Sequence, residues 1–143
     1  MLATDLNSIL EKAFFSEMIS ADQLSQVVQA VPDDVVILDI RTEIEFAEGM
    51  LPGSVKYPFD HNLEDRSDTK PFENDFFARC KPDTLDSDKR YILVCRTGPR
   101  TEIAIEAFTE AGLEACELVG GILGWREQGL AIVDGSDRPD YTP

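Results

Sequence analysis

This sequence predicts an α/β domain: a doubly wound, parallel sheet of about five strands with helices on both faces. Three observations point there. Short apolar runs rich in β-formers (Val35–Leu38, Tyr91–Val94, Ala115–Val119) alternate with segments of helical period. The first two runs are apolar throughout, as in strands covered on both faces. The chain has 143 residues, the size of one domain with a real core.

The elements follow in order. Leu2, Leu6, Ile9, Leu10 and Ala13 recur at helical spacing, so residues 1–17 are expected to form an amphipathic helix packed on the domain. Ser20 to Gln23 is a capping box, with Ile19 and Leu24 placed as a staple. The helix it opens carries Leu24, Val27, Val28 and Val31 and ends at Pro32. Val35–Leu38 is a strand ending on Asp39. Thr42 to Glu45 forms a second capping box, for a short helix reaching about Glu48. A turn over Gly49–Gly53 leads to a strand at Ser54–Tyr57.

Residues 60–88 are the least regular part, with nine acidic and four basic side chains. Phe72, Phe76, Phe77 and Cys80 suggest a helix there that faces the core, the rest being solvent-exposed loop. Tyr91–Val94 is a strand, and Pro99 suits the first turn of a helix bearing Ala104, Ala107, Phe108 and Ala111 and ending at Gly112. Ala115–Val119 is a further strand. Gly120–Gly121 opens a helix through Trp125 to Gln128, and Gly129 stops it. Residues 18–133 thus form the domain. Residues 134–143 read as a polar, loosely held tail.

Net charge is −15, from 13 basic and 28 acidic side chains. That argues against nucleic acid and anionic membranes as partners. No apolar run spans a membrane, and the N-terminus lacks a basic leader region, so a cytoplasmic protein is expected. Cys80, Cys95 and Cys116 have no framework spacing and read as thiols. His61 is the only histidine, and no cluster has zinc spacing; neither a metal nor a cofactor is expected.

Chemistry concentrates at Cys95-Arg96-Thr97-Gly98-Pro99-Arg100, between a buried strand and a helix. In an open α/β sheet ligands bind beyond the carboxyl ends of the strands. Loop N–H groups and a helix N-terminus favour negative charge there. A free cysteine has a pKa of about 8.5, which such surroundings lower, so Cys95 is expected to be largely a thiolate. Gly98 permits the turn. Arg96 and Arg100 offer forked donors to an oxyanion such as a sulfonate. The competing reading of Cys95 is a small core residue at a strand end. Cys116, within a strand, reads as core, and Cys80, on an apolar stripe, as core or else as a second thiol that takes part beside Cys95.

The chain resembles a single-domain rhodanese, a sulfurtransferase. Asp39-Ile40-Arg41 is similar to that family's D-V-R strand end, and Glu45-Phe46 with Gly49-Met50-Leu51-Pro52-Gly53-Ser54 to its E-F-x-x-G-H-I-P-G-A segment. Cys95 to Arg100 resembles the C-R-x-G-x-R loop, and Gly120-Gly121-Ile122 with Trp125 and Gly129-Leu130 the terminal G-G-x-x-x-W-x-x-x-G. Met50 replaces the usual histidine at a position taken as structural, and Pro99 removes one loop N–H. The resemblance implies that Cys95 takes sulfur from a small anionic donor such as thiosulfate. It then holds that sulfur as a persulfide and passes it to a thiol or to cyanide; a protein donor or acceptor is the other partner it allows. Arg100 is then the anchor for the donor's anionic group, with Arg96 second. Thr97 and Gly98 supply backbone donors, and Thr101 a hydroxyl unless it is a helix-surface residue. Asp39 and Arg41 either line the pocket or form a structural pair. Trp125 reads as core or pocket wall.

Two rival readings stand beside this one. A cysteine phosphatase or arsenate reductase would use a longer loop than the four residues between Cys95 and Arg100. A persulfide carrier or regulatory binding module would serve a protein partner.

Overall fold

The computed structural model describes residues 6–41, 43–57, 85–96 and 99–142, with residues 99, 100, 102 and 103 described in their backbone only. Its centre is a five-stranded, wholly parallel sheet in the order β1-β5-β4-β2-β3. The strands are β1 (Met18–Ile19), β2 (Val35–Asp39), β3 (Ser54–Lys56), β4 (Arg90–Val94) and β5 (Glu114–Leu118). Among the described residues the α-helices are α1 (Leu6–Ser16), α2 (Ala21–Val27), α3 (Glu43–Ala47), α4 (Pro99–Glu110) and α5 (Gly121–Glu127).

Strand periodicity divides the core into two layers. Val35, Ile37, Ile92, Val94, Cys116 and Leu118 face α1, α2 and α5. The intervening Leu38, Tyr91, Leu93, Cys95 and Ala115 face α4 with its Ala104, Ala107 and Phe108. Side chains alternate along a strand, so an all-apolar run serves both layers at once. Cys95 thereby points to the α4 side of the central strand.

Local chemistry sets the helix ends. Ser20 accepts the Gln23 N–H (3.1 Å) and Gln23 Oε1 accepts the Ser20 N–H (3.0 Å), the predicted capping box. Gly112 (φ 80°) closes α4, with its N–H donated to Thr109 and the Leu113 N–H to the Phe108 carbonyl (2.9 Å). The α2 helix stops at Val27, before the expected Pro32, and Val31 lies beyond it. Thr42, the Phe72–Cys80 helix and Leu2 fall outside the described residues.

Two expectations need correction. Met18–Ile19, read only as a helix flank, is an edge strand in register with Glu117 and Leu118. Two residues carry no period, so the pattern gave no sign of it. The tail is not loosely held. Lys56 donates to the Pro139 carbonyl (2.9 Å), Tyr141 to the Lys56 carbonyl (2.8 Å), and Arg138 Nε to the Ser54 carbonyl (2.7 Å). Asp140 bridges Lys56 in parallel, so the tail covers the free edge of β3. The Tyr141 ring packs edge-on to Tyr57 and Tyr91, and its hydroxyl lies 3.1 Å from that of Tyr91. A polar sequence hid this docking because most of the bonds use backbone groups.

We expect Tyr141→Ala to lower the unfolding free energy by about 2 kcal/mol in urea denaturation. An unchanged midpoint would mean that the tail contributes nothing to the fold.

Candidate active site

Cys95 follows the last residue of β4, at the carboxyl edge of the sheet and between two neighbouring strands. Val94 pairs with Asp39, and the Ile40 N–H donates to the Val94 carbonyl (3.0 Å), so the ends of β2 and β4 are locked side by side. Four residues after Cys95 the twelve-residue α4 begins. Its first-turn N–H groups have no intrahelical partner and favour an anion.

A second helix holds the loop from behind. The N-cap of α5, Gly120, has no side-chain hydrogen bond. Instead the first-turn N–H groups of Ile122 and Leu123 donate to the carbonyls of Cys95 (2.9 Å) and Arg96 (3.1 Å). A trans peptide directs its C=O and its N–H to opposite sides. With the Cys95 carbonyl committed to α5, the Arg96 N–H is turned away from that helix. Gly120 (φ 79°) and Gly121 (φ 59°) make the approach feasible. A Cβ on Gly121 would meet the Arg96 carbonyl and lie 2.7 Å from the Cys95 oxygen. The double glycine is therefore a close backbone crossing as well as a helix start.

The Cys95 side chain is wholly buried (0% exposed), beside Leu38, Ile40, Leu93, Ala104 and Phe108. A polar neighbour is Thr101, also fully buried, whose Oγ1 lies 3.9 Å from Sγ. Thr101 is thus a site-facing hydroxyl; the helix-surface reading is corrected. Arg96 is exposed. Thr97, Gly98 and the Arg100 side chain fall outside the described residues.

Asp39 and Arg41 form a buried ion pair. Arg41 Nε donates to Oδ1 (2.9 Å) and Nη2 to Oδ2 (2.8 Å), while the Arg41 N–H also reaches Oδ1 (3.1 Å). Nη2 donates further to the Gly49 carbonyl (2.7 Å), which ties the end of β2 to the following turn. Burial pushes the Asp39 carboxyl up from its ordinary range, the hydrogen bonds and charge of Arg41 oppose it, and Glu45 adds to it. The bonds of this pair tie the strand end to the turn that follows it. Met50 is buried and exchanges both backbone bonds with Val133 (2.9 and 2.8 Å), a structural position. Trp125 is core, its Nε1–H donated to the Ala131 carbonyl (2.8 Å). Cys116 is a buried free thiol whose pKa burial pushes far up, with Glu117 adding and Arg90 opposing. A thiol held so firmly protonated is no nucleophile. Cys80 falls outside the described residues.

Sequence reasoning assigned no role to the Ile122 and Leu123 amides. The available signal was a pair of glycines opening a helix that lacks a capping side chain.

A parallel α/β domain with a cysteine at the carboxyl end of its central strand, leading into a helix, defines a class of loop-cysteine proteins. The Rhodanese-like domain family matches residues 20–128, and the chain belongs to it. It is 31% identical over 116 residues to a protein of Allochromatium vinosum named sulfurtransferase, an alignment covering 80% of this chain and 92% of that one. It is 26% identical to the adenylyltransferase and sulfurtransferase MOCS3-1 of Drosophila pseudoobscura pseudoobscura, over 87% of this chain and 26% of that longer protein. A rhodanese-related protein of Thermoplasma volcanium superposes with a TM-score of 0.61 at 26% identity, over 81% of this chain and 96% of that one.

We expect Gly121→Ala to lose at least about 2 kcal/mol of stability, from left-handed strain plus displacement of the loop carbonyls. Gly129→Ala, with the same strain (φ 72°) but open space around it, should lose about 1 kcal/mol. Equal losses in urea denaturation would remove the close crossing from the account.

Proposed function

We propose that this protein is a sulfurtransferase that moves a sulfane sulfur through a persulfide on Cys95. The carrying observation is the placement of Cys95 at the end of β4, between the α4 N-terminus and the α5 amides that hold its carbonyl. The names of the relatives support the same reading. The Cys95 thiolate attacks the outer sulfur of thiosulfate. A Cys–S–S bond forms, the donor's S–S bond breaks, and sulfite leaves with the electron pair. Cyanide or a thiolate then attacks the terminal sulfur, taking it as thiocyanate or as a new persulfide and returning the Cys95 thiolate.

Each neighbour has a part in this scheme. The Arg96 N–H, turned away from α5, and the backbone N–H groups of Thr97 and Gly98 stabilise the terminal sulfur's charge. Thr101 Oγ1, which accepts from the Cys95 thiol in the structure, turns its own hydroxyl proton toward the sulfur once that is ionised. Arg100 anchors the sulfonate of the donor, with Arg96 second. The sulfur is fully covered, so transfer requires the groups over it to draw aside, and once closed they keep water from the persulfide. Among the described residues no helix is long and apolar enough to cross a membrane, and the reading places the enzyme in the cytoplasm.

A second reading is a persulfide carrier for a protein partner. The relative named adenylyltransferase and sulfurtransferase favours it, because there the matching segment is a quarter of a longer chain.

Incubation with thiosulfate should add one sulfur atom to Cys95, seen by mass spectrometry, and cyanide should then release thiocyanate. Cys95→Ser should abolish both. Arg100→Ala should raise the thiosulfate KM roughly 10- to 100-fold, the worth of a charge-assisted bond, with a smaller change in kcat. Persulfide without cyanide turnover would select the carrier. Thiocyanate formation by the serine variant, or phosphate release from an aryl phosphate with no sulfur transfer, would overturn the sulfurtransferase.

A further inference from the structure

Four large apolar side chains are exposed among the described residues, and three of them, Phe15 (92%), Met18 (53%) and Val119 (48%), belong to one border of the sheet. Single exposed apolar residues are ordinary, but several along an uncovered sheet edge mark an interaction surface. The border is β1, the end of the strand order, and among the described residues no strand lies beyond it. Phe15 precedes β1 at the close of α1. Met18 pairs with Glu117, and the Val119 N–H donates to the Ile19 carbonyl (2.9 Å), which holds Val119 against β1. Ile19 belongs to the core layer of α1, α2 and α5. Side chains alternate along a strand, so Met18 is turned to the other face, that of α4 and Cys95.

A groove of about 380 Å³ adjoins this border, between the turn into β1 and α4. Buried Ile105 lines it with the exposed Thr109, Glu17, Glu106 and Glu110, and the Thr109 hydroxyl donates to Glu17 Oε2 (3.3 Å). None of the lining residues is basic. The apolar side chains make the surface, and the charge selects what covers it. Three carboxylates on a chain of net charge −15 attract lysine and arginine. A second copy in a two-fold contact would set the same carboxylates against each other. Nucleic acid and anionic membranes are repelled.

We propose that the Met18–Val119 border and the adjoining groove are the docking surface for a basic segment of a partner protein, one that carries apolar side chains between lysines or arginines. The surface lies close to the reactive loop in the fold. Ile105 shares a core layer with Cys95, and Val119 leads into the glycines of α5, whose first turn holds the Cys95 carbonyl. A partner seated here is one that gives sulfur to Cys95 or takes it; that role, unlike the docking, rests on the persulfide reading above.

The test uses the full chain, labelled with nitrogen-15 and with Cys95 reduced, in about 0.15 M salt, where distant exposed charges are screened. The probe is the amidated peptide Lys-Leu-Arg-Leu-Lys. One control, Glu-Leu-Glu-Leu-Glu, keeps the apolar residues and reverses the charge. The other, Lys-Gly-Arg-Gly-Lys, keeps the charge and loses the apolar residues. Saturable NMR shifts at the Met18, Thr109, Glu110 and Val119 amides are expected with the probe, and none with either control. Met18→Ser with Val119→Ser, both at exposed positions, should raise the probe's Kd roughly tenfold, and Glu106→Gln with Glu110→Gln should do the same. The proposal fails if the probe gives no saturable shift, if the shifts lie elsewhere, if either control binds as tightly, or if either double variant binds unchanged. It also fails if sedimentation shows the free chain self-associating through a contact that Met18→Ser with Val119→Ser breaks, since the border then belongs to a second copy. Binding is read without sulfur transfer. A chain that binds the probe but forms no persulfide removes the sulfurtransferase and leaves the docking; the reverse result removes the docking alone.

Discussion

Two hydrogen bonds organise this molecule's site: Ile122 N–H to the Cys95 carbonyl and Leu123 N–H to the Arg96 carbonyl. Each solves two problems together. A helix begins with N–H groups that need partners, and a loop leaving the central strand has carbonyls that need donors. By meeting each other they cap α5 without a capping side chain and commit the loop peptides to one direction. Planarity of the peptide then turns the Arg96 N–H away from α5. The cost is steric: two consecutive residues must adopt left-handed angles, and one of them must lie against another backbone. Glycine alone meets both conditions at Gly121.

The rest of the architecture holds this junction still. The sheet gives β4 a neighbour on either side, and its alternating side chains anchor one helical layer on each face. The Asp39–Arg41 pair fixes the end of β2 beside β4 and reaches on to the Gly49 carbonyl. Breaking such a buried pair typically costs about 3–5 kcal/mol, because one charge is left without its partner. The tail closes the far edge along β3 and, through Tyr141, packs on Tyr91, which shares a face of β4 with Cys95. The Cys95 sulfur at a strand end is thus supported from the sheet and from helices on both sides.

What was legible in the sequence was what has a period or a punctuation mark. The runs ending at Asp39 and Val94 showed their strands, and the Ser20 box and Gly112 showed helix ends. Cys95 stood out because a strand, a glycine and two arginines surround it. What was not legible depends on backbone meeting backbone at long range. β1 is too short to have a pattern, and the docking of the tail on β3 is written mostly in amides and carbonyls. The role of Gly121 looked like a helix start until the Cys95 carbonyl appeared beside it. The burial of Cys95 also exceeded the expectation of a thiol in a polar ring, since its side chain falls on the apolar period of β4. That period is why it faces Ala104 and Phe108, and Thr101 brings a polar atom to that wall.

The central claim is that α5 holds the Cys95 loop by its first-turn amides. Helix N-terminal amides ordinarily exchange with solvent quickly, since no intrahelical bond protects them. Native-state hydrogen exchange on the Ile122 and Leu123 amides tests the claim most directly. Protection approaching that of the β4 amides Ile92 and Leu93 is the predicted result. Exchange at the rate of an unprotected, solvent-exposed amide would contradict it.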